Sequence, residues 1–490
     1  MYFLGYDIGS SSVKASLLDG ASGQIIASAA SPEEGMDIQA PQPGWAEQDP
    51  EQWWQNVRLA TANILLRSAV APAAIQSIGI AYQMHGLVVV DKNHRVLRPA
   101  IIWCDSRASE TGQKAFSSLG EKYCREHFLN SPGNFTASKL KWVKENEPEL
   151  YSRIHKILLP GDYIAMKMSG KAQTTLTGLS EGIFWDYKEQ GMAHSLLKHY
   201  GIDQSLLPEQ VNVFSVQAEL SEPAAKDLGL ITGTKISYRS GDQPNNAFSL
   251  NVLNPGEVAA TAGTSGVVYA VTDQNKYDEK SRVNTFLHVN HSKEKIRNGI
   301  LLCVNGTGIL NRWLKNTLAI SSYEKMNEMA AQAPVGSEGL LCYPFGNGAE
   351  RILENIQTGA SVKNVQFNIH KAPHLLRAAQ EGIIFALQYG LQIMNGMGTS
   401  AKVIRAGEAN MILSPVFCEA FASLTETTLE LYQTDGSQGA ARGAAIGTGY
   451  YADFQEAFQK LEKRRTVEPS TKSISVYKEA YNRWLEHLTK

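Results

Sequence analysis

The chain has 490 residues, 43% of them hydrophobic and 19% charged, so it can bury a large core and is not expected to be disordered. Its net charge of −2 provides no field that would recruit nucleic acid or an anionic membrane. No apolar run approaches the roughly 20 residues of a membrane helix, and the first residues lack the basic start of a secretion signal. Five scattered cysteines without C-x-x-C spacing indicate reduced thiols, so we expect a cytoplasmic protein.

The first half of the chain alternates short apolar segments with helical patterns. Residues 3–6, 13–18 and 25–28 predict three antiparallel strands, Asp49-Pro50 predicts the start of a helix, and 77–81 and 100–103 predict further strands. Asp is a favoured N-cap, and Pro is tolerated in the first helical turn. Strands that alternate with helices indicate an α/β fold with a mixed sheet.

The second half repeats this alternation. Residues 300–304 and 402–407 predict strands, 373–394 predict a long helix, and Ser414-Pro415 predicts another helix start. We therefore expect two domains, residues 1–248 and residues 249–490.

Two segments about half the chain apart, residues 7–13 and 261–267, share one pattern. Each has apolar flanks around a turn of glycine and hydroxyl residues, namely Gly9, Ser10, Ser11 and Ser12 in the first and Gly263, Thr264 and Ser265 in the second. Backbone N–H groups and hydroxyls in such hairpins can face a phosphate, although one Gly-Ser turn alone is common. Asp7 stands where the second segment has Thr261. A carboxylate there suits Mg²⁺, whereas the alternative is an ordinary turn-forming Asp.

Six motifs together resemble the FGGY carbohydrate kinases. They are Asp7–Ser11, Gly44–Pro50, Met84–Gly86, Trp103–Arg107, Gly241–Gln243 and Gly263–Gly266, in the family's order. The resemblance extends from residue 1 to about residue 450. It implies two duplicated actin-like (ribonuclease H-like) domains with mixed sheets around an interdomain cleft. It also implies ATP with Mg²⁺, and transfer of the γ-phosphoryl group to a sugar hydroxyl.

Asp242 is the predicted catalytic base, because phosphoryl transfer requires a group that accepts the proton of the attacking hydroxyl. It follows Ser240-Gly241 at the predicted end of a strand. From the residues alone, a turn-forming Asp before Gln243-Pro244 is an equal alternative. The resemblance favours the base.

The resemblance places sugar binding at Met84, His85, Trp103 and Gln243, besides Asp242. A lone His at a strand end is more often a buried, hydrogen-bonded residue, and that reading stays open for His85. Asp105 and Arg107 are predicted to share one face and to pair, chiefly as the wall of the pocket.

The resemblance also implies an adenine pocket in the second domain, at Gly407 and Asn410. The family usually has a Gly-Gly-Gly-Ala turn there, whereas this chain has Ala406 and Glu408 beside Gly407. We expect this departure to alter the fine geometry of nucleotide binding.

The acceptor is expected to be a ketopentose, with D-xylulose converted to D-xylulose 5-phosphate. Met84-His85 stands where glycerol kinases have Arg-Glu, although Gln243 is typical of the glycerol branch. Other acceptors (ribulose, fuculose, glycerol) and a catalytically silent, sugar-responsive protein on the same fold are the alternatives. A homodimer is left open as the assembly.

Overall fold

The computed structural model describes residues 1–488, and the chain forms two compact units. Unit 1 contains residues 1–251, 286–295 and 434–461, and unit 2 contains residues 252–285, 296–433 and the chain from Glu462 on. The prediction assigned 286–295 and 434–461 to the C-terminal domain, whereas they pack with unit 1. Local patterns carry no information about which distant segment an element packs against. As a statement about independently folding domains, the division after residue 248 stays a prediction.

Unit 1 is built on a six-stranded mixed sheet. Its strands are β1 (Tyr2–Ile8), β2 (Val13–Asp19), β3 (Ile25–Ser31), β4 (Ile75–Tyr82), β5 (Phe214–Glu219) and β6 (Lys235–Gly241). Their order across the sheet is β5-β6-β4-β1-β2-β3. The pairs β3-β2 and β2-β1 are antiparallel, β1-β4 and β4-β6 are parallel, and β6-β5 is antiparallel.

Unit 2 has a sheet of the same design. The strands of this sheet that lie wholly within unit 2 are β7 (Glu257–Ala262), β8 (Gly266–Thr272), β9 (Asn298–Val304), β10 (Val403–Gly407), β11 (Leu429–Tyr432) and β12 (Lys463–Val467). Their order is β9-β8-β7-β10-β11-β12. As in unit 1, three antiparallel strands are followed by two parallel pairings and one antiparallel pairing. The predicted duplication of an α/β unit with a mixed sheet is confirmed.

Six helices recur in the description of the site and its packing. They are α1 (Pro50–Ser68), α2 (Asp242–Ser249), α3 (Gly308–Thr317), α4 (Ala372–Gly396), α5 (Pro415–Thr425) and α6 (Gly436–Gly447). None of the helices within residues 1–488 combines the length and apolar character needed to cross a bilayer.

The remaining elements are shorter or peripheral. The other helices are Ser109–Leu119, Glu121–Phe128, Thr136–Asn146, Pro148–Tyr151, Pro160–Ser169, Leu176–Glu181, His194–Tyr200, Glu222–Leu228, Tyr323–Ala330, Phe454–Phe458 and Ile474–Glu486. The short strand pairs are Glu47–Gln48 with Ala100–Ile101, Val88–Val90 with Lys156–Leu158, Gln173–Thr175 with Glu209–Val211, Trp185–Asp186 with Gly191–Met192, and Leu341–Tyr343 with Ser361–Lys363. The strand Asn284–Leu287 lies where the chain passes from unit 2 to unit 1.

The predicted helix starts are confirmed where local side chains make the cap. Asp49 caps α1 by accepting a hydrogen bond from the backbone N–H of Glu51, and Pro50 occupies the first turn. Ser414 caps α5 in the same way through the N–H of Phe417. The strand predicted at 100–103 ends at Ile101 instead, because Trp103 has left the sheet and is 47% exposed.

Helix α6 lies with its backbone directly on strands β1 and β4, and glycines make this contact possible. A Cβ on Gly5 would stand 2.0 Å from the carbonyl oxygen of Ser437, and a Cβ on Gly79 would stand 2.0 Å from that of Ala440. Carbon atoms cannot approach a carbonyl oxygen this closely. Any side chain at either glycine would therefore push the helix off the sheet.

We expect Gly79→Ala to lower the free energy of unfolding by about 1–3 kcal/mol or more, as overpacking of a close-packed core does. Urea denaturation followed by circular dichroism measures this change. Gly396→Ala is the matched control, since an added Cβ at Gly396 meets nothing within 4 Å and Ala favours a helix over Gly. Equal stability of the two variants would contradict the assigned contact between α6 and the sheet.

Candidate active site

Three neighbouring parallel strands of unit 1 end side by side, and a predicted site segment follows each of them. Ile8 at the end of β1 is paired with Tyr82 at the end of β4, and Tyr82 is paired with Gly241 at the end of β6. In open α/β sheets, ligands bind outside the carboxyl ends of such strands. The sheet therefore brings together the first glycine turn, the Met84-His85 segment and Asp242.

The first glycine turn is a tight hairpin between β1 and β2. The Gly9 N–H donates to the carbonyl of Ser12 at 3.1 Å, and the carbonyl of Ser10 accepts from the Gln48 side chain at 2.7 Å. The carbonyl of Ser11 accepts from the N–H of Met36 at 2.7 Å. Two carbonyls of the turn are thus held from outside, which leaves its hydroxyls as groups for a ligand.

Asp7 lies at the end of β1 against the start of helix α6. A Cβ on Gly436 would stand 2.4 Å from Asp7 Oδ2, so only glycine allows this approach. The pKa of Asp7 is raised to about 6, chiefly by burial; the charge of Lys14 lowers it and that of Asp435 raises it. Asp435 itself caps α6 through the N–H of Gln438. The sequence analysis identified Asp7 but missed Asp435, which reads in the sequence as an ordinary helix cap.

An amide side chain completes this part of the site. Asn245 Nδ2 donates to the carbonyl of Gly436 at 2.8 Å, whereas its buried Oδ1 has no hydrogen-bond partner among residues 1–488. Within the same residues, no group of three or more His, Cys, Asp and Glu side chains forms a ready-made metal cage. Carboxylate and amide oxygens are nevertheless the atoms that a largely hydrated Mg²⁺ accepts. The residues present therefore fit such an ion.

Asp242 is the first residue of helix α2 and directly follows strand β6. Burial raises the pKa of Asp242 to about 7, and the charge of Asp7 adds to this effect, while the side chain and backbone of Gln243 lower it. A carboxyl group with a pKa near 7 is suited to accept a proton at neutral pH. The residue begins a helix instead of a turn, and its catalytic role stays a prediction.

The Met84-His85 segment leaves β4 in an unusual backbone conformation. His85 has φ of +62°, and its ring Nδ1 is hydrogen-bonded to the carbonyl of Glu181 at 2.9 Å. The ring also packs edge-on against Phe135, with centroids 4.8 Å apart. Met84 is 4% exposed. The sequence analysis left open that His85 is a hydrogen-bonded histidine, and the structure shows this hydrogen bond. The bond holds His85 beside the strand ends.

Lys139 is a buried cation that sequence reasoning missed. Its Nζ donates to the carbonyl of His85 at 2.8 Å and to that of Ile102 at 2.9 Å. Burial lowers the pKa of Lys139 to about 7, against the opposing effect of Asp105. The side chain thus ties the His85 segment to the segment that leads to Trp103.

The predicted pairing of Asp105 with Arg107 is present, in a loop rather than on a strand. Arg107 Nη2 lies 2.7 Å from Asp105 Oδ2, and Arg107 Nη1 lies 2.7 Å from Glu47 Oε1. The guanidinium also stacks over Trp45 at 3.8 Å. Asp105 accepts from the N–H of Ala46 at 2.6 Å and is fully buried. This network holds the loop from which Trp103 Nε1 reaches Ser10 Oγ at 3.3 Å.

Unit 2 carries the second glycine turn, between strands β7 and β8. The carbonyl of Gly263 accepts from the N–H of Gly308 at 2.9 Å, and that of Thr264 accepts from the N–H of Ile309 at 3.2 Å. The turn is therefore attached to the start of helix α3. Ser265 is its last residue before β8. No carboxylate of the turn corresponds to Asp7, since Thr261 holds that position.

A cavity of about 870 Å³ opens beside this second turn, entirely within unit 2. Gly263, Thr264 and Asn410 of the prediction line it, together with residues of α3, α5 and the helix Tyr323–Ala330. Strand β10 ends at Gly407, and Asn410 follows with φ of +54°. The cavity walls are largely side chains such as Tyr323, Met411 and Val416.

Comparisons with known proteins agree with this arrangement. Residues 2–249 match the N-terminal domain model of the FGGY family of carbohydrate kinases, and residues 258–452 match its C-terminal domain model. The chain is 28% identical to a xylulose kinase of Bacillus subtilis (strain 168), over 98% of this chain and 95% of that protein.

Solved structures show the same fold. A xylulose kinase from Rhodospirillum rubrum superposes with a TM-score of 0.87 at 23% identity, over 99% of this chain and 98% of that one. A glycerol kinase from Plasmodium falciparum with ADP superposes with a TM-score of 0.87 at 19% identity, over 99% and 97% of the two chains.

The chain belongs to the FGGY family of carbohydrate kinases. The predicted family, the predicted two-domain α/β architecture and the predicted ATP-dependent transfer to a carbohydrate are confirmed.

The Arg107 network generates a stability prediction. Arg107→Met would leave the buried carboxylates of Glu47 and Asp105 without that cation, and we expect it to lower the free energy of unfolding by about 3–5 kcal/mol. Chemical denaturation measures the loss. The control is Lys114→Met, whose exposed partner is Glu110 and for which we expect no measurable change in stability. A loss at Arg107 no larger than at Lys114 would show that the network is not structural.

Proposed function

We propose that this chain transfers the γ-phosphoryl group of ATP to D-xylulose and forms D-xylulose 5-phosphate, with Asp242 as the general base. The observation that carries this proposal is the partly exposed Asp242 carboxyl, with a pKa near 7, at the end of strand β6 beside the strand that leads to Met84 and His85. The similarity to xylulose kinases over almost the whole chain supports the ketopentose. A catalytically silent sugar-responsive protein is not favoured, because it would have no use for Asp242 and Asp7 together.

Asp242 would accept the proton of the attacking hydroxyl as the bond to phosphorus forms. Its place at the first turn of helix α2 fixes the side chain relative to the strand ends. Gln243 interacts with the Asp242 carboxyl and is positioned to orient both the base and the acceptor. Met84, His85 and Trp103 supply the remaining acceptor contacts in this proposal, with the exposed Trp103 ring against the apolar face of the sugar.

Each glycine turn is proposed as a phosphate-binding element of its own unit. Gly9, Ser10, Ser11 and Ser12 offer hydroxyls and N–H groups in unit 1, and Gly263, Thr264 and Ser265 offer them in unit 2. Gly407 and Asn410 are assigned to the adenine edge of the unit 2 cavity. The size of that cavity, about 870 Å³, is adequate for a nucleoside.

Asp7 is the proposed residue for Mg²⁺, aided by the free Oδ1 of Asn245. When bound, the ion would neutralise phosphate charge. Asp7 is held for this role by Gly436 and by the strand pairing with Lys14. A homodimer and a cytoplasmic location stay predictions.

An assay of ADP release against D-xylulose, D-ribulose, L-ribulose, L-xylulose, L-fuculose, glycerol and gluconate tests the acceptor. Selectivity for D-xylulose supports the proposal. If the enzyme is selective for another polyol, the proposed mechanism stands and the proposed substrate is that polyol instead of D-xylulose. No acceptor-dependent ADP from folded, ATP-binding protein would contradict the kinase activity.

We expect Asp242→Asn to lower kcat by about two orders of magnitude or more, because general-base catalysis contributes this much, while ATP binding stays near that of the parent. Steady-state kinetics and titration with an ATP analogue separate the two effects. Asp227→Asn, at an exposed helix position, is the control and should retain kcat within about twofold. Near-full turnover by Asp242→Asn would exclude the base role.

The pH dependence should follow the ionisation of Asp242. Its carboxylate is the active form, so kcat/KM for the acceptor should fall about tenfold per pH unit below about pH 7 and level off above it. Burial raises this pKa, and the falling limb therefore lies well above the ordinary range of an Asp. Rates at saturating ATP between pH 5.5 and 8.5 measure the profile, with circular dichroism to confirm folding. A flat profile over this range would contradict the assignment.

A further inference from the structure

Glu181 is a buried carboxyl that neither the sequence motifs nor the mechanism above uses. It ends the helix Leu176–Glu181 and is 2% exposed. Its backbone carbonyl is hydrogen-bonded to His85 Nδ1 at 2.9 Å. The main chain of Glu181 is therefore hydrogen-bonded to His85, one of the residues proposed to bind the acceptor. This bond does not involve the Glu181 side chain.

The side chain lies against the backbone that leads into the catalytic base. A Cβ on Gly241 would stand 2.5 Å from Glu181 Oε2 and 2.6 Å from Met84 Cγ. Gly241 is the residue before Asp242. The absence of a side chain at Gly241 thus allows the Glu181 carboxyl and the Met84 side chain to meet beside Asp242, among the residues proposed to bind the sugar.

The surroundings of this carboxyl disfavour its charged form. Burial raises the pKa of Glu181 well above its ordinary value, the negative charges of Asp242 and Asp162 raise it further, and the Tyr82 hydroxyl opposes them. The cation Arg239 on strand β6 is engaged by Asp162 at 3.3 Å. A neutral carboxylic acid carries one O–H that it must donate to an acceptor atom.

The Tyr82 hydroxyl uses part of this hydrogen-bonding capacity, and one carboxyl oxygen is left over. Glu181 Oε1 is buried and has no partner among residues 1–488. An unsatisfied buried polar atom costs free energy, and a ligand hydroxyl that reaches it recovers this cost. Glu181 therefore offers a buried hydrogen-bonding group next to the group that activates the acceptor.

We propose that Glu181 is an acceptor-binding residue whose carboxyl hydrogen-bonds a hydroxyl of an uncharged polyol through its Oε1, which is unpartnered within the described residues. The inference rests on the proposed function, and it specifies that the acceptor of the phosphoryl group is an uncharged polyol. An acceptor that carries its own carboxylate is disfavoured, because that group would be placed beside the carboxyls of both Asp242 and Glu181.

Two substitutions separate hydrogen bonding from structure. Glu181→Gln keeps the volume and a hydrogen-bonding group, and we expect KM for the preferred polyol to stay within about threefold of the parent. Glu181→Ala removes the hydrogen-bonding group, and we expect KM to rise about tenfold or more with kcat within about threefold, as the loss of one buried hydrogen bond predicts. Should Glu181→Ala fail to fold, Glu181→Asp withdraws the carboxyl by one methylene and gives the same test.

Asp186→Asn is the matched control, because Asp186 is a buried carboxyl five positions along the chain that pairs with His127 at 2.8 Å. It should change thermal stability without changing KM. Calorimetric titration of the polyol without nucleotide provides a second readout, in which Glu181→Ala weakens binding and Glu181→Gln does not. The same contrast in both experiments supports the proposal.

These experiments distinguish a failure of the Glu181 inference from a failure of the proposed function. Suppose that the wild type is active. If KM is unchanged in Glu181→Ala, or is raised equally in Glu181→Gln and Asp186→Asn, the role of Glu181 is overturned and the proposed function is not. A preference for gluconate over every neutral polyol overturns the assigned substrate class. A folded, ATP-binding wild type that produces no ADP with any polyol overturns the proposed function together with this inference.

Discussion

The site in unit 1 depends on the direct contact between helix α6 and the strands β1 and β4. Gly5 and Gly79 leave room for the helix backbone to lie on the sheet. This contact places Asp435 and Gly436, at the start of α6, against Asp7 at the end of β1, although more than 400 positions separate them in the chain. The carboxylates of Asp7 and Asp435 are consequently brought together in a partly desolvated place. Desolvation raises the pKa of Asp7, and the charge of Asp7 in turn raises that of Asp242.

The two units have the same sheet order but different chemistry at their glycine turns. In unit 1 the turn follows Asp7 and has carboxylates around it. In unit 2 the turn follows Thr261 and Ala262 and is attached through backbone hydrogen bonds to Gly308 at the start of α3, beside an apolar-walled cavity. The same backbone design can thus present an acidic site in one copy and a pocket for an uncharged ring in the other. The side chains at the strand ends make the difference.

Much of the fold was predictable from local signals. The hairpins were recognisable because a Gly turn between two apolar runs is a short-range pattern, and the starts of α1 and α5 were recognisable because Asp49 and Ser414 make their caps with residues two or three positions away. The strand predicted through Trp103 ended early, at Ile101. An apolar run cannot show where a ring leaves the sheet for an exposed position, since exposure is set by what the neighbouring loops cover.

The sequence by itself determined the family, the α/β elements and the two glycine turns, and it pointed to Asp7 and Asp242 as candidate site residues, because each of these signals is a motif of residues close together in the chain. Tertiary structure decided which unit residues 286–295 and 434–461 join. It also decided that Lys139, Glu181 and Asp435 belong beside the strand ends. In the sequence these three read as ordinary residues of a helix or a helix cap. Their surroundings arise from burial and from neighbours distant in the chain, from Ile102, 37 positions from Lys139, to Asp7, more than 400 positions from Asp435. Desolvation and through-space charge act on distance in the fold, and local sequence does not encode that distance.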